Sequence, residues 1–287
     1  MAVSALSLSL DGQGDRRNQS EWCDVIHAAL EEGVNTFEIV HPSPALLAGA
    51  AAGLSAVSRR LLFVCLRIDP SLEPTELEAW VEATLHGLGL TEINLLAVSA
   101  DDGMDPAMLV GMRRVKELGR CFGIAIAGDG DKLADRLDVV SFDALITPFN
   151  LLSGWRERRL IRTALEAHMG VIGAEPCPEA IAPLVAAATA ESKPGLFKRA
   201  QPLAGVGTYG FLEKTPNWTC EQLCVGYALT EPAVATAMVK PGGRKHVAAV
   251  AGVTERDLPA AVSAQIEMAR FSAEQAARDA QPQARRA

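Results

Sequence analysis

Gly33-Val34-Asn35-Thr36-Phe37-Glu38-Ile39-Val40-His41-Pro42-Ser43-Pro44 is the stretch on which the fold reading turns. Gly33 stops an amphipathic helix over Glu21 to Glu32, whose Trp22, Val25, Ile26, Ala29 and Leu30 share one face. Val34 to Val40 is a strand of apolar and β-branched residues, and an Ala-rich helix follows over Pro44 to Val57. The same alternation runs along the whole chain. Strands are expected over Ser4–Leu10, Leu61–Ile68, Glu92–Val98, Cys121–Ala127, Ala144–Thr147, Val171–Ala174 and Ala233–Val239. Helices are expected over Ser71–Leu88 (Ser as N-cap), Asp105–Leu118, Lys132–Leu137, Glu157–His168, Pro178–Thr189, Glu221–Leu229 and Ala260–Phe271. The strands are continuous apolar runs, as parallel strands covered on both sides must be. Eight repeated βα units favour a single closed (β/α)8 barrel over an open doubly wound sheet.

Composition agrees. The chain has 287 residues, is 49% hydrophobic and carries a net charge of −8. That hydrophobic content excludes a disordered chain. The acidic balance argues against nucleic acid as a partner, because phosphate contacts need clustered Lys and Arg. Apolar runs such as Leu61 to Leu66 fall far short of the ~20 residues of a membrane span. The N-terminus has no basic region of the secretory kind, so a cytoplasmic location is expected. Cys23, Cys65, Cys121, Cys177, Cys220 and Cys224 form no CxxC pair and read as ordinary buried or half-buried thiols. Residues 1–270 read as the barrel and 271–287 as a helix end with a disordered tail.

Glycine motifs do not point to an open dinucleotide-binding sheet. Asp11-Gly12-Gln13-Gly14 lacks the third glycine. Gly205-Val206-Gly207-Thr208-Tyr209-Gly210 matches G-x-G-x-x-G, yet it follows a polar segment and not a strand. Both read as flexible loops.

Three segments, in order and with consistent spacing, resemble the aldo-keto reductase superfamily. They are Gly33 to Glu38; Asp143-Ala144-Leu145-Ile146-Thr147-Pro148-Phe149-Asn150-Leu151-Leu152 with Arg158-Arg159-Leu160; and Gly226 to Val234 followed by Lys240-Pro241-Gly242-Gly243-Arg244. The resemblance spans residues 3 to 270 and implies a (β/α)8 barrel with NAD(P)(H) at the C-terminal face of its strands. It also implies a catalytic tetrad of Asp, Tyr, Lys and His. Those positions fall on Glu38, Ser43, Leu66 and Ser99, so none of the four is kept. A Ser hydroxyl is a far weaker acid than a phenol, and Leu66 removes the cation that tunes it. Arg67 is expected to face the opposite way from Leu66. For the cofactor, the resemblance assigns Asn150, Gly242, Gly243, Arg244 and Lys245, the last four as a phosphate loop at a helix start. Nicotinamide-binding positions read Ala127, Gly128 and Ile146, and Gly252 stands where an adenine-binding Asn is usual.

Two functional readings stay open. One is a non-catalytic homologue acting through a protein partner, with a pocket that senses NAD(P)(H). Within the superfamily it resembles the type that restrains cell division and modulates a cell-cycle kinase. The other is a divergent oxidoreductase or lyase-like barrel using Glu38 and His41 as acid and base. Glu175 is a further carboxylate at the barrel mouth, and Asp101-Asp102-Gly103-Met104-Asp105 reads as a turn with an Asp N-cap. Arg156, Arg158, Arg159 and Arg162 form a basic helix face, either ion-paired or a docking patch.

Overall fold

The computed structural model describes residues 2–100, 105–130, 142–191 and 209–280, with Leu133 and Leu137 in between. Its strands are β1 (Leu6–Asp11), β2 (Thr36–Val40), β3 (Phe63–Arg67), β4 (Ile93–Ser99), β5 (Cys121–Ala127), β6 (Ala144–Pro148), β7 (Gly170–Ala174) and β8 (Val234–Val239). They form one closed barrel in chain order, every neighbouring pair parallel, with β8 closing on β1. The helices are α1 (Gln19–Glu31), α2 (Pro44–Leu54), α3 (Leu77–Leu88), α4 (Pro106–Glu117), α5 (Trp155–Glu166), α6 (Ile181–Glu191), α7 (Phe211–Lys214), α8 (Cys220–Ala228), α9 (Arg244–Ala251) and α10 (Ala260–Ala280).

Strand alternation divides the apolar residues into two layers. Leu8, Leu66, Leu96, Ile124 and Leu145 face outward and pack under Trp22, Ile26, Leu46, Val81 and Met112 of the helices. Cys65, Leu95, Ala97, Ala125, Ala127, Ala144, Ile146, Ile172 and Met238 fill the barrel itself. A third cluster lies outside the barrel, where Leu151, Leu212, Leu223, Cys224 and Tyr227 meet Val262, Ile266 and Ala269 of α10.

Element ends depart from the expectation for local reasons. Asn18 caps α1 in a full capping box with Glu21, so that helix begins at Gln19, two residues ahead of the expected start at Glu21. Ser71 is not a helix cap; its hydroxyl bonds Asp69, and α3 starts at Leu77 after a 3-10 turn over Pro74–Glu76. Asp105 does cap α4, accepting from the Ala107 N–H. The final helix runs on to Ala280, past the expected end at Phe271. The Asp101–Met104 turn, most of the Lys132–Leu137 helix, Gly205–Thr208 and residues 281–287 lie outside the described residues.

Candidate functional site at the barrel mouth

The C-terminal ends of β1, β2 and β3 bring a small set of polar side chains together. Ser9 is in register with Glu38, and Glu38 with Cys65, so all three point into the barrel. Arg67 lies two residues beyond Cys65 and therefore points the same way. Its guanidinium grips Glu38 through both Nε, at 3.0 Å, and Nη2, while the Ser9 hydroxyl donates to the other carboxylate oxygen at 2.8 Å. Glu38 is buried and Arg67 four-fifths buried, so the pair sits in a poorly solvated well.

This corrects the sequence reading at β3. Leu66 faces outward into the helical layer, and Arg67 is the inward residue. A carboxylate and a cation thus meet at the barrel mouth, in Glu38 and Arg67. Guanidinium stays protonated, which makes this pair an electrostatic fixture and not a proton relay. Beneath it, burial and the Glu38 charge push the Cys65 thiol far up, so it remains neutral.

The other two positions that the resemblance singled out, Ser43 and Ser99, carry hydroxyls. Ser43 is the N-cap of α2, its Oγ accepting the Leu46 N–H at 3.2 Å. Ser99 ends β4 as a half-buried hydroxyl in register with Ala127. The chain's two tyrosines lie elsewhere. Tyr227 stacks on Phe149 on the outer side of the barrel, and its hydroxyl bonds Arg158 and Glu267. Burial raises its pKa further. Tyr209 is buried in the cluster under α10.

His41 and Glu38 are not brought together as an acid and base pair. His41 has φ +43° immediately after β2, and its Nδ1 meets the Asp11 carboxylate at 3.0 Å. Asp69 lies close enough for His41 to help hold its carboxyl below the usual range, after the hydrogen bonds from Ser71. Glu175 also takes a positive φ, +48°, directly after β7. Non-glycine residues in this region are uncommon, and two of this chain's fall at the mouth. The Glu175 carboxylate is exposed, while its carbonyl accepts from Asn150 Nδ2. The first glycine loop is not loose: a Cβ on Gly12 would lie 2.3 Å from the His41 carbonyl.

At the end of β8 the chain passes through Lys240-Pro241-Gly242-Gly243 into α9. Gly243, the N-cap of α9, has φ +148°, a conformation that residues with a side chain rarely adopt. The Gly242 N–H donates to His246 Nδ1 at 3.0 Å, and His246 Nε2 meets Glu221 at 2.8 Å. Glu221 raises the His246 pKa, working against partial burial and Arg17. Arg17 reaches the loop from 224 positions away, donating to the Pro241 carbonyl at 2.6 Å. Arg244 is exposed and paired with Glu31, and Lys245 is exposed. The sequence reading found Gly242, Gly243, Arg244 and Lys245. It missed Arg17, His246 and Glu221, which no local spacing links to the loop.

A glycine turn, a helix N-terminus and the basic residues Arg17, Arg244, Lys245 and His246 lie at this end, donors of the kind an anionic diphosphate takes. The nicotinamide end does not fit. Ala127 and Ile146 present only apolar atoms, and both lie in the barrel cluster. Asn150 spends its amide on its own loop and on the one after β7, accepting from the Leu152 N–H and donating to the Glu175 carbonyl.

A model of the Aldo/keto reductase family matches residues 7–270. The chain belongs to that family. Among solved structures, it is similar to the aldo-keto reductase AKR11C1 from Bacillus halodurans in its holo form, with a TM-score of 0.70, 15% identity, and coverage of 92% of this chain and 91% of that one. No curated protein sequence matches this chain significantly. Among the described residues, no helix is long and apolar enough to cross a membrane.

Proposed function

We propose that this family member is non-catalytic and acts as a regulator through a protein partner, its phosphate loop letting it respond to NAD(P)(H). One observation carries the reading: the Glu38–Arg67 pair is held in place, while the position that supplies the family's phenolic acid is a serine engaged in capping α2. Hydride transfer to a carbonyl needs a proton delivered to the oxygen at the same time. Neither tyrosine supports that step, because both lie in the outer layer. Cell-division or cell-cycle control, of the KidO type, is the closer assignment that the degenerate tetrad suggests.

The partner surface we favour is α5. Trp155, Arg159 and Arg162 are exposed along one helical stripe, whereas Arg158 turns inward to Glu231 and Tyr227. A basic aromatic stripe on a chain of net charge −8 suits an acidic protein surface.

A second reading retains an enzyme. The Asp11–His41 pair, with strained backbone at His41, suits a general base whose Nε2 meets a substrate. One experiment separates the two. NADH is titrated by fluorescence and then offered with a panel of aldehydes, ketones and hydroxy acids. Saturable binding that weakens in Arg244→Ala, with no turnover, is the expected outcome. Turnover that disappears in His41→Ala defeats the regulator and supports the enzyme.

A further inference from the structure

Cys177, Cys220 and Cys224 converge outside the barrel. Each Sγ lies within 4.8 Å of the other two. Cys177 comes from the loop after β7, and Cys220 and Cys224 occupy successive turns at the start of α8. Among the described residues, no other three His, Cys, Asp or Glu side chains come together in this way. Cys224 is fully buried in the cluster under α10, and Cys177 and Cys220 are half-buried at its edge. None of the three takes part in the barrel-mouth chemistry described above.

We propose that these three sulfurs form a binding site for a single thiophilic cation, of the Zn2+ or Cu+ class. Zn–S bonds of about 2.3 Å place tetrahedral sulfurs roughly 3.8 Å apart, so the observed triangle closes on an ion with side-chain shifts of about 1 Å or less. Soft thiolate ligands select these metals over Mg2+ or Ca2+. A disulfide uses two thiols and leaves the third without a task, whereas a cation uses all three. The half-buried edge gives an entry path, and the apolar floor strengthens the attraction between ion and thiolates. Three sulfurs leave a fourth position for water on Zn2+, or a complete trigonal site for Cu+. Binding releases the thiol protons to solvent and involves no change of oxidation state. The ion ties the β7–α6 loop to α8, which carries Glu221, the partner of His246 beneath the phosphate loop.

The test uses the full-length, reduced protein. Co2+ is titrated as an optical probe for Zn2+, followed by displacement with Zn2+ and, separately, with Cu+ under anaerobic conditions. We expect a thiolate-to-cobalt absorption band saturating at one equivalent. Cys177→Ser and Cys220→Ser should each weaken binding by at least about tenfold, and Cys23→Ser should have no effect. Stronger displacement by one ion assigns the metal. As a measurement independent of variants, bound Zn2+ should protect Cys177 and Cys220, and not Cys23, from iodoacetamide in peptide mass spectra. Absence of the band and of protection overturns the proposal. So does a Cys177–Cys220 or Cys177–Cys224 disulfide that forms under mild peroxide equally with and without Zn2+.

Discussion

At the scale of single residues, the barrel mouth is governed by which charges have partners. Arg67→Ala leaves the buried Glu38 carboxyl with only Ser9 as a donor. Breaking one side of such a pair costs about 3 kcal/mol or more, measured by urea unfolding, and Arg67→Lys should recover part of it. His246 makes a second case. Its neutral form, with the proton on Nε2, donates to Glu221 and accepts the Gly242 N–H on Nδ1. Protonation keeps the Glu221 contact, adds a positive charge and releases the Gly242 N–H for an anion. Because Glu221 raises the folded-state pKa, the stabilisation is fully present below the ordinary histidine value of about 6.5 and is lost as pH rises through the raised value. NADH is therefore expected to bind more tightly at pH 6 than at pH 8, and the difference should vanish in His246→Gln. Equal affinities at both pH values in the wild-type chain would contradict this. Arg17, the other charge facing His246, keeps its charge across that range and does not imitate the effect.

At the scale of elements, the β1–α1 and β2–α2 connections behave as one unit. The Gly12 N–H bonds the Val40 carbonyl at 2.9 Å, and its Cα faces the His41 carbonyl and the Ser43 amide. A Cβ there would meet both, at 2.3 and 2.9 Å, and both are backbone atoms that cannot rotate away. Gly12→Ala should cost about 1–3 kcal/mol by chemical denaturation. It should also displace His41 from Asp11, visible as changed His41 ring chemical shifts by NMR. A loss of stability with unaltered His41 ring shifts would show that the two connections are independent. The helix caps act on the same scale. Asn18, Ser43, Asp105 and Thr219 each accept a first-turn N–H, so α1, α2, α4 and α8 begin where a short polar side chain stands.

At the scale of the whole molecule, α10 closes the structure. Val262, Ile266 and Ala269 cover the outer cluster, Glu267 receives the Tyr227 hydroxyl, and Arg270 donates to the Ser153 carbonyl. Burying each of the two larger aliphatic side chains stabilises by roughly 1.5–3 kcal/mol. Ending the chain after Asp257 should therefore lower Tm by at least about 5 °C and increase binding of a hydrophobic dye. An unchanged Tm would mean that this cluster contributes nothing to the barrel's cooperativity.

Local sequence was enough to determine the succession of strands and helices, and hence the barrel. Each signal there, such as the apolar run Val34 to Val40 or the stop at Gly33, acts within one or two turns of chain. It also read a serine, Ser43, at the position where the resemblance expects the tetrad's phenol. Only the tertiary structure decided that Arg67, and not Leu66, enters the barrel, since a slip of one residue in register exchanges the two faces of a strand. Only the tertiary structure joined Arg17 and His246 to the phosphate loop, and Cys177 to Cys220 and Cys224. Those meetings depend on how the barrel closes and how its connections fold back over it, which no spacing along the chain encodes.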